Sequence, residues 1–137
     1  MNAPKRAFVD AIPSGARVLD IGCWNFSFYK WCVSIGRTDF SHFGIDMELV
    51  DLAGAPSGYH FSRVDVQRER FPFSDAYFDA VVVSHVIEHL ASPFQMLDEV
   101  FRVLKPGGLV YIECPSERSL LFPSMPFKFS ECCSLSF

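Results

Sequence analysis

Three aspartates follow short apolar runs at regular intervals: Asp20 within Arg17-Val18-Leu19-Asp20-Ile21, Asp46 after Phe43-Gly44-Ile45, and Asp65 after Ser62-Arg63-Val64. An ionised carboxylate offers hydrogen-bond acceptors alone, so it suits a ribose diol, an exocyclic amino group or a cationic ligand group. Asp46 stands near the ~20-residue spacing from a loop glycine, here Gly22, at which an acid accepts from ribose hydroxyls. Asp65 has the chemistry to accept from an adenine amino group, and Asp20 to hold its loop or meet a cation. If the three runs are neighbouring parallel strands, the three acids line one rim of the sheet.

The elements needed to place them are legible. Pro4 to Ala11 reads as a short helix before the Pro13-Ser14-Gly15 turn. Arg17 to Ile21 is a strand of the buried, near-continuously apolar type. Phe28, Trp31, Cys32 and Ile35 recur with helical period and are read as core. Phe40 to Ile45, Tyr59 to Val64, Phe78 to Val83 and Leu109 to Ile112 are the remaining strands. Ser92-Pro93-Phe94-Gln95 reads as a helix start, with Ser92 as N-cap and Gln95 closing a capping box. Leu97, Val100, Phe101 and Leu104 form the expected buried stripe. Strands alternating with helices or helix-length connections predict a doubly wound, mostly parallel α/β sheet of order 3-2-1-4-5. A first strand ending on Asp20-Ile21-Gly22 and turning into a helix is how such a sheet makes a nucleotide site.

The 137 residues carry a net charge of −4 and are half hydrophobic. The length is that of one domain, 1–137, divided into a core to 114 and an apolar tail from 115. The acidic balance gives no electrostatic footprint for nucleic acid. No apolar run approaches the ~20 residues of a membrane span, and no signal peptide is legible, so a cytoplasmic location is expected. The five cysteines, odd in number and irregular in spacing, read as free thiols. The tail contains Phe122, Pro123, Pro126, Phe127, Phe129 and Phe137. Ending there, it is expected to leave the fifth strand as an edge for further strands, a second copy or another partner to cover.

His85-Val86-Ile87-Glu88-His89 spells the inverted zinc-protease pattern. A catalytic zinc needs a third protein ligand, and Pro93 limits any helix here to about one turn, so no metal is expected.

Five segments taken together resemble the class I S-adenosylmethionine-dependent methyltransferases, of the Rossmann-like type. Val18 to Cys23 is similar to that family's first motif, and Gly44-Ile45-Asp46-Met47 to its second strand and ribose-binding acid. Phe71 to Asp75 with Phe78-Asp79 is similar to the lead-in to its fourth strand. His85 to Leu90 resembles the segment after that strand, and Leu104 to Gly108 the turn before the fifth. The resemblance implies S-adenosyl-L-methionine as cofactor. It places Asp20, Gly22 and Cys23 beside the methionine part, Asp46 on the ribose and Met47 against the adenine. It places Asp65 and Val66 at the adenine edge, with Ser84 and His85 near the sulfonium and the acceptor.

Methyl transfer to a small-molecule or carbohydrate-type acceptor is the expected reaction. His85 is the candidate general base for a hydroxyl or protonated amine, since histidine titrates near neutral pH. One feature departs from the family: Trp24 and Phe26 occupy positions where it usually has glycines. The alternative is therefore a non-catalytic methyltransferase-like module that has lost cofactor binding through Trp24 and Phe26 and binds a partner through its tail.

Overall fold

The computed structural model describes residues 3–48 and 52–114, and the backbone of 133–136. Its elements run α1 (Ala3–Ala11), β1 (Arg17–Ile21), α2 (Ser27–Ser34), β2 (Ser41–Asp46), a 3-10 turn (Leu52–Gly54), β3 (His60–Arg63), β4 (Phe78–Ser84), a second 3-10 turn (Ile87–His89), α3 (Phe94–Val103), β5 (Leu104–Glu113) and β6 (Cys133–Ser136). The sheet has the order β3-β2-β1-β4-β5-β6. The first five strands are parallel, as expected. No helix among the described residues is long and apolar enough to cross a membrane.

Both faces of the sheet are covered, which is why β1 and β4 carry consecutive apolar residues (Val18-Leu19, Ala80 to Val83) rather than strict alternation. Leu19, Ile21, Val81 and Val83 pack on one face with Met96, Val100 and Val103 of α3. Val18, Ala80, Val82 and Tyr111 pack on the other with Phe8 and Val9 of α1, Ile12 just after it, and Phe28 and Cys32 of α2. Asp20 shares the parity of Val18 and so belongs to the α1–α2 face.

Four expectations are corrected. The edge of β5 is paired by the chain's own tail, with β6 antiparallel to it (Leu109 opposite Ser136, Ile112 opposite Cys133). The tail phenylalanines lie outside the described residues. The Lys105-Pro106-Gly107-Gly108 turn does not precede the fifth strand but interrupts it, since Phe78 pairs with Leu104 and Ala80 already with Leu109. The capping box does not form: α3 starts at Phe94, and Pro93, not Ser92, is at the N-cap with no side-chain cap bond. Proline's fixed φ lets Pro93 sit in the helical region (φ −84°), which leaves Ser92 one residue too early. The buried face of α3 is Met96, Glu99, Val100 and Val103, while Phe101 is 52% exposed. The helix ends at Val103, so Leu104, the supposed last member of its stripe, is a strand residue and the inward face rotates.

Candidate active site

In an open parallel sheet, ligands bind beyond the carboxyl ends of the strands where the strand order reverses. Here that point lies between β1 and β4. A cleft of about 830 Å³ opens there, lined by residues at the strand ends from across the sheet: Asp46 of β2 and Met47 after it, Asp20 of β1 and Gly22 after it, Ser84 of β4 and His85 after it, and Glu113 of β5. Val64, Asp65 and Val66 add the β3 side, and Trp24, Phe28 and Trp31 add an aromatic wall. Of the residues expected at a cofactor, only Cys23 is not brought to this cleft. Its side chain is buried with Phe26, Tyr29 and Tyr59, and its N–H, like that of Gly22, donates to the Ile45 carbonyl (3.4 and 2.8 Å).

The glycine loop works without its usual glycines. Two left-handed residues make the turn, Gly22 at φ 79° and Phe26 at φ 57°. A Cβ on Gly22 would lie 2.4 Å from Val86 Cγ2, so this glycine is required both for its φ and for the close approach of the β4 exit. Trp24 is not among the positive-φ residues, which are Phe26, Ala76 and His85 among the described non-glycines. The backbone conformation at position 24 therefore does not require glycine, and Trp24, 68% exposed, stands at the cleft wall. Asn25 Oδ1 accepts from Ser27 N–H (3.1 Å) and starts α2 beside the cleft.

The three aspartates differ. Asp20 is 5% exposed, and burial, with a smaller push from Asp46, raises its pKa to about 7 against the opposing charge of Lys5. Asp46 Oδ1 accepts from the Glu48 N–H (3.0 Å), so that carboxylate also stiffens its own turn. Asp65 is committed on both oxygens, to Gln67 N–H (3.0 Å) and Arg68 (3.1 Å), in the manner of a turn cap. It also lines the cleft, and its oxygens keep further acceptor capacity.

At the β4 exit, His85 has φ 55° and its N–H donates to the Glu113 carbonyl (2.8 Å), which fixes the turn from strand to cleft. Its Nδ1 lies 3.5 Å from Glu88 Oε1, and His89 Nε2 lies 4.0 Å from the same oxygen. The short 3-10 turn holds this arrangement where a long zincin helix would be needed, and no group of three or more metal-ligating side chains is assembled among the described residues.

Two cleft residues escaped the sequence reading. Lys5 comes from α1, and Glu113 ends β5 as the three aspartates end or follow their strands. Both carried a signal. Lys5 shares the helical face of Phe8, Val9 and Ile12, an unusual place for a lysine, and Glu113 continues the pattern of acids at strand ends.

The fold and the cleft define a nucleotide-site α/β protein of the methyltransferase class, and the comparisons agree. The model of the methyltransferase domain matches residues 19–112. A tRNA U34 carboxymethyltransferase of Methylococcus capsulatus is 33% identical over 106 residues, 73% of this chain and 32% of that protein. A ubiquinone/menaquinone biosynthesis C-methyltransferase of Geobacter sulfurreducens is 35% identical over 91 residues, 66% of this chain and 36% of that protein. The crystal structure of a SAM-dependent methyltransferase from Archaeoglobus fulgidus is 27% identical and superposes with a TM-score of 0.67, covering 86% of this chain and 53% of that one. The chain belongs to the class I S-adenosylmethionine-dependent methyltransferase family. It spans about a third of the length of the two curated relatives.

Proposed function

We infer that this domain binds S-adenosylmethionine in the cleft and that the protein it represents transfers the methyl group to a small-molecule acceptor. The observation that carries the reading is the placement of Asp46 and Asp20 on one rim at the strand-order reversal, in a chain of this family. The residues present fit the cofactor. Asp46 with Met47 suits the ribose and adenine, Asp20 suits an ammonium group, and Gly22 allows close backbone approach.

The bound cofactor would supply an electrophilic methyl group on a sulfonium that is already a good leaving group. The protein's part is therefore alignment and exclusion of water more than chemical activation. Ser84 and His85 stand at the β4 exit, on the side of the cleft away from Asp46 and Asp65, and are the residues assigned to the acceptor side. His85 is the base for an acceptor that must lose a proton, with Glu88 beside its Nδ1 to hold the ring. A polyanionic acceptor is poorly served, because Asp20, Asp46, Asp65 and Glu113 all line the cleft.

Titration calorimetry with S-adenosylmethionine and S-adenosylhomocysteine tests the reading. Saturable binding at sub-millimolar ligand is expected; no heat with either at millimolar concentration removes it. With an acceptor in hand, an unchanged rate in His85→Ala would remove the assignment of the base.

A further inference from the structure

Among the described residues that line the cleft, Lys5 is the one lysine or arginine, beside four carboxylates. It projects from α1 on the face of the sheet that carries Asp20, and it is the cation whose charge opposes the burial of that acid. Its Nζ lies 3.5 Å from Glu113 Oε2, and 5.6 and 5.8 Å from the ring centroids of Trp31 and Phe28. Ser84 Oγ also approaches Glu113 Oε2, at 3.4 Å. The Lys5–Glu113 separation is well beyond the ~2.7–2.9 Å of a tight charge-assisted bond. A lysine, with its compact charge on a flexible four-carbon stem, can leave such a partner without breaking a fixed geometry.

A ligand ending in an α-amino acid presents an ammonium and a carboxylate on one carbon. If Asp20 takes the ammonium, a cation near Asp20 on the same face of the sheet would suit the carboxylate. Asp46, Asp65 and Glu113 would repel it; His85 and His89 stand beyond the exit of β4. Among the described residues that line the cleft, Lys5 is the lysine or arginine that meets this need. The residue lies before position 19, outside the part of the chain that the family model matches.

We propose that Lys5 exchanges Glu113 for the carboxylate of the bound cofactor, so that Lys5 and Asp20 together select a zwitterionic ligand end. The proposal rests on the cofactor reading above. It also makes ligand binding tie α1 to the cleft and leave Glu113, with Ser84, open toward the acceptor side.

The test is a protein–ligand mutant cycle on the whole chain. S-adenosylhomocysteine is compared with its decarboxylated analogue, which keeps the adenosine, the thioether and the amine. Wild type is expected to prefer the carboxylated ligand about tenfold. Lys5→Met is expected to abolish that preference, and Lys5→Arg to retain most of it. Glu113→Gln, which removes the competing anion, is expected to tighten the carboxylated ligand and leave the analogue unchanged. If Lys5→Met weakens both ligands equally, Lys5 only supports the fold and the proposal fails. It fails also if wild type binds the two ligands alike, although the cofactor reading then stands. If neither ligand binds wild type, the cofactor reading itself fails and the proposal goes with it. Thermal melts of each variant verify folding, and Lys5→Gln, which also removes the charge, serves if the methionine variant is unstable.

Discussion

The Phe26 ring meets Tyr59 edge to face, with centroids 4.8 Å apart and planes at 74°, while the Phe26 backbone stands in the left-handed region at φ 57°. The contact explains how a phenylalanine holds a conformation that favours glycine. Left-handed strain of about 1 kcal/mol is offset by a buried ring whose removal typically costs about 3–5 kcal/mol. Phe26→Gly relieves the strain but loses the ring, and its unfolding free energy in urea should fall by about 2–4 kcal/mol. Phe26→Ala keeps most of the strain and should be less stable still. A glycine variant more stable than wild type would sink this account of the loop.

Trp24 should behave in the opposite way. It lies outside the left-handed positions, and its indole is largely exposed. Trp24→Ala should therefore change stability by no more than about 0.5 kcal/mol. Retention of S-adenosylhomocysteine binding by both wild type and this variant is expected in calorimetry. Binding that appears only in the variant would show that the indole occupies the ligand's place.

These two residues also mark the limit of what the sequence discloses. The parallel order of the first five strands follows from apolar runs and helix-length connections, and the site's place follows from Asp20, Gly22 and Asp46. Those signals are local and periodic. Whether Trp24 needs a left-handed φ depends on which loop residues make the turn, and that is settled by the Val86 methyl against Gly22 and by Tyr59 against Phe26. Both contacts link segments far apart in sequence. The inward face of α3 was misjudged because Phe101 is apolar yet exposed, whereas Glu99 is buried. Glu99 is held there by Arg102 (2.7 Å) and by the Phe71 N–H (2.7 Å). Periodicity counts apolar letters and cannot anticipate a buried acid held by an arginine of its own helix and a backbone N–H of a distant loop.

The close approach at Gly44 gives a third expectation. A Cβ there would stand 2.3 Å from Tyr59 Oη and 2.5 Å from Cys23 Sγ. Both side chains are packed under the first loop, so neither can move aside freely. Gly44→Ala should destabilise by about 1–3 kcal/mol through overpacking. Combination with Tyr59→Phe, which deletes the hydroxyl nearest the new methyl, should recover part of the loss. A double variant no more stable than Gly44→Ala alone would assign the strain to Cys23.

His42 predicts acid sensitivity. It is buried in β2, with Tyr59 stacked on it at 6.2 Å and Tyr29 edge-on at 4.9 Å, and burial lowers its pKa to about 4. The folded value lies below the ordinary 6.5, so the fold prefers the neutral ring. This stability is fully present above pH 6.5 and is lost as pH falls from there toward 4. The loss reaches up to about 3 kcal/mol at the acid end. His42→Phe, which cannot be protonated, should flatten the pH dependence of the urea midpoint across that window. An unchanged slope would show that other groups govern it.

Asp20 predicts a conflict between stability and binding, with the opposite sign. Its folded pKa of about 7 stands above the ordinary 3.8, so the fold prefers the neutral acid. That contribution is fully present below pH 3.8 and is lost as pH rises through 7, when the buried carboxylate must ionise. Asp20→Asn removes the cost, and the variant should be more stable than wild type by about 2–4 kcal/mol at pH 8, with the gain vanishing near pH 4. The ionised form is the one that would receive the cofactor's ammonium group. Affinity of wild type for S-adenosylhomocysteine should therefore fall as pH drops below 7, approaching tenfold per pH unit where one proton is displaced on binding. Below the pKa of Asp20, 5′-methylthioadenosine, which lacks the amino acid, should show no such decline between pH 7 and 5. Asp20→Asn should bind each of the two ligands with an affinity that does not change over this pH range. Parallel pH profiles for both ligands in wild type would separate Asp20 from the ammonium site and leave it a purely structural acid of the first strand.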